Sequence, residues 1–249
     1  MAEPVPSLPA PHRRRLREIW RSAGWPSQDM LEVELVDAGL LQRLRDRDGR
    51  ETLRVTDAGV AVLAQTLQNN RAARDAHESL VARVAREMQR AGRIVWRGLS
   101  LRARVGDGDA AGWAMAMPDV YSIRHTTVEA YLQPTVHEVK VRRADLLADL
   151  RHEAKRAAYL QLSSECWYVL PAGIARPDEI PAECGVLIAG DAGLDVARPA
   201  PKRPLQMSLG TWMALARAAP VDNGPDEDAQ AWLGDTAGAG PDEPDRSAP

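Results

Sequence analysis

Apolar residues recur along the chain with two periods, and the switches between them outline its elements. Leu16, Ile19 and Trp20 fall at helical spacing after Arg13, and Gly24 and Pro26 end that helix. Ser27 is placed to cap a second helix, whose apolar face is Met30, Leu31, Val33, Leu35 and Val36 and which Gly39 stops. Leu40–Leu44 and Glu51–Val55 read as strands, with Asp48-Gly49 between them as a hairpin signal. Thr56-Asp57-Ala58-Gly59 then opens a helix through Val60, Val62 and Leu63. Helix, helix, hairpin, helix is the order of a winged helix, expected over residues 13–70.

A further helix is expected from about Ala72 to Arg90, with Leu80, Val81, Val84 and Met88 as its stripe and Gly92 as its stop. Ile94-Val95-Trp96 reads as a strand, Gly106 to Gly112 as a Gly/Asp loop, and the stretches near Ala116–Arg124 and Val136–Val141 as two more strands. One long helix follows from about Ala144 to Leu162, with Leu146, Leu147, Leu150, Ala154 and Ala157 inward. Cys166–Leu170, Gly185–Ala189 and Leu194–Ala197 are strands, with a turn or short helix at Pro177 to Glu183. After the Pro-rich connector from Pro199 to Pro204 comes a last amphipathic helix around Leu209–Ala218. Helix, three strands, helix, strand predicts an α/β sandwich over residues 71–218.

Charge is divided along the chain. The net charge is only -3 over 249 residues. Yet Arg13, Arg14, Arg15 and Arg17 form a basic run, while residues 219–249 carry Asp222, Asp226, Glu227, Asp228, Asp235, Asp242, Glu243 and Asp245 against Arg246. That composition predicts a disordered acidic tail, and the Pro-rich residues 1–12 a loose N-terminus. The second helix bears Asp29, Glu32, Glu34 and Asp37, the wrong sign for phosphates. Arg13 to Arg17, and Arg43, Arg45, Arg47 and Arg50 on the hairpin, are better placed to meet a nucleic-acid backbone. Apolar residues make up 45 % without a single Phe, so Leu, Val, Ala and Trp must fill the core. Cys166 and Cys184 lack ligand spacing and read as core residues. No apolar run is long enough for a membrane span and no secretory h-region is present, so a cytoplasmic protein is expected, of bacterial type by composition.

The chemistry concentrates on two strands. Met117-Pro118-Asp119-Val120 lies at one and Thr135-Val136-His137-Glu138-Val139-Lys140-Val141 at the next. Side chains alternate along a strand, so Glu138 and Lys140 share one face while Val139 and Val141 take the other, into the core. An acid and a lysine side by side on an apolar strand are costly to bury without a use. With Asp119 on the neighbouring strand, two carboxylates and one ammonium converge. Asp119, Glu138 and the backbone carbonyl of Val139 suit Mg²⁺ or Mn²⁺. Such an ion activates water against a phosphodiester, and Lys140 orients that water and offsets charge on the phosphate. An ion pair at a sheet edge is the other reading of Glu138 and Lys140, and a turn residue after proline that of Asp119.

Pro118-Asp119 followed by Glu138-Val139-Lys140 resembles the PD-(D/E)XK nuclease superfamily. The run from Glu138 to Leu150, together with Tyr159-Leu160, Cys166 to Pro171, Cys184 to Ala189 and Val196 to Ala200, looks like the bacterial MmcB-like DNA repair proteins. The likeness covers about Pro118 to Pro201; the winged-helix-like part lies outside it. It implies a restriction-endonuclease-like α/β sandwich with a small N-terminal winged-helix domain, a metal-dependent DNA endonuclease or repair-associated nuclease, DNA as partner and a possible homodimer, with no small-molecule cofactor. The superfamily often adds an acid on its first helix, for which Glu78 is the match, or it is a solvated helix-face residue. Arg142, Arg143, Arg151, Lys155 and Arg156 follow the motif and are candidates for DNA phosphates, or for a charged helix face. Tyr159, one turn beyond Lys155, faces either the site or the core. His77, His125, His137 and His152 have no ligand spacing and read as structural or surface residues. Trp96, Trp113 and Trp167 read as core, with Trp113 also open to a base. Two other functions stay open: a catalytically silent nucleic-acid-binding protein of the same fold, and a winged-helix transcriptional regulator.

Overall fold

A computed structural model describes residues 8–22, 24, 26–106, 112–191 and 193–222. The acidic tail beyond Asp222, residues 1–7 and the tip of the Gly/Asp loop, 107–111, lie outside the described residues. The chain divides into two compact units, Met1–Ala76 and His77–Pro249. Among the described residues, no helix is long and apolar enough to cross a membrane.

In the first unit, α1 (Ala10–Arg21) and α2 (Met30–Asp37) precede a hairpin of β1 (Leu41–Arg45) and β2 (Glu51–Val55). The start of α3 (Asp57–Arg90) follows. Leu16, Ile19, Leu35, Leu40, Leu53 and Val62 make the core. α1 starts at Ala10, ahead of the expected Arg13. Pro11 sits in its first turn, where the missing N–H of proline has no partner to lose. Asp29, not Ser27, caps α2; its Oδ1 accepts the Glu32 N–H at 3.1 Å. Glu32 was expected on an acidic outer face, but it is fully buried. Its carboxylate accepts the Ser27 and Gln28 N–H groups and lies 3.6 Å from Arg15. Met30 and Val33, expected inward, are exposed.

α3 is one 34-residue helix where two were expected. Its apolar stripe lapses between Gln65 and Arg71, but that stretch contains neither Gly nor Pro, so nothing breaks the backbone ladder.

The second unit is mixed α/β. Its six-stranded sheet has the order β10-β9-β8-β7-β6-β3, from β3 (Arg93–Arg97), β6 (Val120–Arg124), β7 (Thr135–Val139), β8 (Glu165–Pro171), β9 (Gly185–Ala189) and β10 (Leu194–Arg198). β3, β6 and β7 form an antiparallel meander; β8 and β9 run parallel to β7, and β10 turns back antiparallel. All five residues of β7 are buried. Alternation sends Val95, Val120, Val139, Val169 and Leu187 into one core with Leu80, Val81, Val84 and Ala85 of α3. Tyr121, Val136, Cys166, Tyr168 and Val186 enter the other, with residues of α4 (Arg143–Leu150) and α5 (Glu153–Leu162).

Two further expectations change here. The long helix over Ala144–Leu162 is α4 and α5, broken at Arg151-His152, and Leu147 and Ala154 face outward. The Gly/Asp region is flanked by a second hairpin, β4 (Leu101–Val105) with β5 (Gly112–Ala116), set between β3 and β6. α6 (Leu209–Arg217) is capped by Ser208, whose hydroxyl accepts the Thr211 N–H at 3.2 Å.

Candidate active site

The site forms where β6 begins and β7 ends. Pro118 cannot donate to a ladder, so β6 starts only at Val120 and leaves Asp119 at its mouth. Asp119 Oδ2 accepts the Val139 N–H at 2.7 Å, tying that mouth to the end of β7. One residue earlier on β7, Glu138 is 2 % exposed. A carboxylate that deep needs partners on both oxygens. Oε1 receives the ammonium groups of Lys140 and, at 2.6 Å, Lys155; Oε2 receives the Tyr159 hydroxyl at 2.8 Å. Lys140 follows the strand, its N–H donating to Val169 O at 3.1 Å.

A third carboxylate completes the cluster. The break between α4 and α5 accompanies the inward turn of Asp149. Oδ1 accepts Lys155 at 2.6 Å and lies 3.5 Å from Lys140, while Oδ2 accepts the Tyr168 hydroxyl at 2.8 Å. On the α3 side, His77 Nε2 stands 3.4 Å from Asp119 Oδ1.

Charge is unevenly balanced among these groups. Burial, and then the nearby Glu138, hold the Asp119 carboxyl above the ordinary aspartate range. Burial also works against ionised Asp149, but its bond to Lys155 and the nearness of Lys140 outweigh that and hold it below the range. Burial depresses the Lys155 ammonium less than Glu138 and Asp149 raise it. Burial, then Glu138 for Tyr159 and Asp149 for Tyr168, push both phenols up, so each stays a donor.

The donor set bears on an ion. Among the described residues, no three Asp, Glu, His or Cys groups are clustered as ligands. Asp119 and Glu138 nevertheless offer hard oxygen donors, and at Asp119 the Val139 N–H, His77 and Lys140 do not offset burial and Glu138 as the lysines do at Asp149. Three carboxyl groups, Asp119, Glu138 and Asp149, stand against the two ammoniums of Lys140 and Lys155, with His77 beside Asp119. Asp119 and Glu138 supply the hard oxygens that a divalent cation takes, and the hydrogen bonds already on both Glu138 oxygens would have to give way to it.

The other expected residues are distributed as follows. Glu78 is largely exposed, pairing with Arg97 at 2.8 Å. Lys155 is turned onto Glu138 and Asp149, away from its expected role as a surface contact for phosphates. Arg143 is occupied by Glu179 and the Ile174 carbonyl, and Arg156 by Glu183 and the Leu150 carbonyl. Arg142 is half-buried at the start of α4. His137 lies on the other face, where burial and then Arg93 lower its pKa to about 3. Cys166 and Cys184 are buried free thiols. Asp149 and Tyr168 belong to the site without having been singled out, and His77, read as a structural or surface residue, stands against Asp119. For Tyr159 the i, i+4 spacing from Lys155 was the available signal.

No family model matches the chain, and no curated protein matches it. Among solved structures it is similar to the SPO1766 protein of unknown function from Silicibacter pomeroyi. The TM-score is 0.39 and the identity 22 %, covering 66 % of this chain and 94 % of that one.

Proposed function

We propose that the second unit is a metal-dependent nuclease hydrolysing phosphodiester bonds in DNA, with Asp119, Glu138 and Lys140 at its centre. The observation that carries this reading is the meeting of Asp119, from the mouth of β6, with Glu138, Val139 and Lys140 at the end of β7. The order of elements supports a restriction-endonuclease-like sandwich. α3 precedes the β3-β6-β7 meander, and α4 and α5 cross over to β8, parallel to β7. The helix, helix, hairpin, helix order of the first unit supports a winged-helix module.

In this reading Asp119 and Glu138 hold Mg²⁺ or Mn²⁺, which when bound polarises the phosphodiester and activates a water. Lys140 places its ammonium beside Glu138, where it orients the attacking water and offsets charge on the phosphate. Tyr159 fixes Glu138 Oε2 and Lys155 bridges Glu138 and Asp149, so both act as positioning residues. His77 faces the free oxygen of Asp119.

Cleavage of labelled single-stranded, duplex and flap DNA with Mg²⁺, Mn²⁺ or EDTA tests the proposal. Wild type should cut only with metal, and Glu138→Ala and Lys140→Ala should each lose roughly 10²-fold or more. Cutting that is indifferent to both substitutions would overturn it. One observation favours a second reading, a nucleic-acid-binding protein without cleavage: Lys140 and Lys155 both already occupy Glu138 Oε1. Calorimetric titration separates the two, because that reading expects no heat from Mg²⁺ or Mn²⁺ at the site.

A further inference from the structure

We propose that the outer face of the β4–β5 hairpin is a track on which an unpaired nucleic-acid strand stacks as it enters the site, a proposal that rests on the nuclease reading. The hairpin buries Leu101, Ala103 and Ala116 and turns Arg102, Arg104, Trp113 and Met115 outward. Its register sets Arg102 opposite Met115 and Arg104 opposite Trp113. Trp113, Met115 and Met117 recur at every second residue and stand 70 %, 59 % and 60 % exposed. Large apolar side chains held in water at this spacing mark a binding surface. The Arg102 guanidinium lies 5.7 Å from the centre of the Trp113 ring.

α6 closes the other side of this surface into a groove of about 760 Å³, which Trp113, Met115, Leu209 and Met213 line with Arg102 and Arg217. A neighbouring groove adds Arg104. Neither is lined by any Asp or Glu among the described residues, in a chain whose net charge is -3. Flat apolar surface edged by guanidiniums matches a ligand with flat faces on an anionic backbone. An apolar peptide would leave the arginines unmatched. A duplex keeps its base faces inside the stack, so Trp113 would find none.

The track leads to the chemistry. At most about 20 Å of extended chain separates Trp113 from Asp119. Between them, the Met117 carbonyl lies 3.1 Å from the Tyr159 hydroxyl that holds Glu138. A strand stacked along Trp113, Met115 and Met117 is therefore led toward the carboxylates.

Fluorescence anisotropy of the full-length protein in EDTA, with a labelled oligothymidylate and a duplex of equal length, tests the track. Trp113→Ala should weaken single-strand binding by roughly 5- to 150-fold, the cost of one lost stacking partner, and leave duplex binding within about twofold. Trp113→Phe should keep most of the affinity. Both variants should melt with wild type, since the ring is mostly in solvent. Equal single-strand affinity for wild type and Trp113→Ala overturns the track. So does sedimentation showing that Trp113→Ala splits a dimer while oligonucleotide binding is unchanged, which gives the groove to a second copy of the chain. Trp113-dependent binding by a protein that cuts nothing keeps the track and removes the nuclease reading. Metal-dependent cutting of single strands untouched by Trp113→Ala does the reverse.

Discussion

Glu138 is the residue on which the site turns, and its neighbours make separable contributions. Lys155 bridges two buried carboxylates, so Lys155→Met leaves both short of a partner. Removing one member of a buried pair is strongly destabilising, but a third of this side chain reaches water, so a loss of about 2–3 kcal/mol is expected. The sign with pH follows from the shifts. Asp149 is held below its ordinary value, so its share of stability is present above the aspartate range and is lost as pH falls through its lowered pKa. Lys155 is held above its ordinary value, so its share persists at neutral pH and is lost only above the lysine range. Denaturant unfolding should therefore show the Lys155→Met deficit in full at neutral pH and shrinking below about pH 4. Asp119 has the opposite sign. Its raised pKa means that the ionised form costs stability at neutral pH. Asn at this position can still accept the Val139 N–H. Asp119→Asn should melt about 2–4 °C higher than wild type without metal at neutral pH, the change that about 1 kcal/mol produces in a chain of this size. The gap should close as pH drops below the carboxylate range, and cleavage should fall by roughly 10²-fold or more. A variant that melts lower at neutral pH would show that the Val139 N–H, His77 and Lys140 outweigh the cost of burying the carboxylate.

At the scale of elements, strand pairing in the second unit is set by close packing that a single atom can disturb. Gly185 opens β9 where a Cβ would drive into the Trp167 ring and stand 2.7 Å from the Ala200 nitrogen. The backbone cannot withdraw, so Gly185→Ala should cost about 1–3 kcal/mol, read as a lower urea midpoint with unchanged slope. What was legible in the sequence follows the same physics. β6 through β9 and α6 announced themselves because apolar runs bounded by Gly and Pro have few other uses. Period two along β7 also placed Glu138 and Lys140 together. The β4–β5 hairpin did not: Leu101 to Val105 does alternate apolar with Arg, but its partner strand, Gly112-Trp113-Ala114-Met115-Ala116, has no polar position to mark the period. The join within α3 and the break between α4 and α5 were misplaced for a shared reason. Neither Gly nor Pro distinguishes them, and tertiary contacts decide. Asp149, Tyr168 and His77 were hidden because their partners lie on other elements, at separations no local period encodes. Arg143 and Arg156 looked available because the chain does not display Glu179 and Glu183 as their partners.

For the whole molecule, net charge is a poor guide to anion binding, because the chain sorts its charges. The total of -3 includes the acidic residues beyond Asp222, while the grooves beside α6 carry Arg102, Arg104 and Arg217 without a carboxylate among their described lining residues. Binding of a single strand is then governed by local phosphate contacts and the counterions they release. At about 0.7 per phosphate, three arginines give a slope of about -2 for the logarithm of affinity against the logarithm of salt concentration. Replacing Arg102 and Arg104 together should bring the slope to about -0.7, whereas Trp113→Ala should lower affinity at every salt concentration and leave the slope near -2. Anisotropy titrations of the three proteins across a salt series separate these effects. A slope that survives loss of both arginines would move the phosphate contacts away from the hairpin, to the basic run of α1 or the arginines of β1 and its loop.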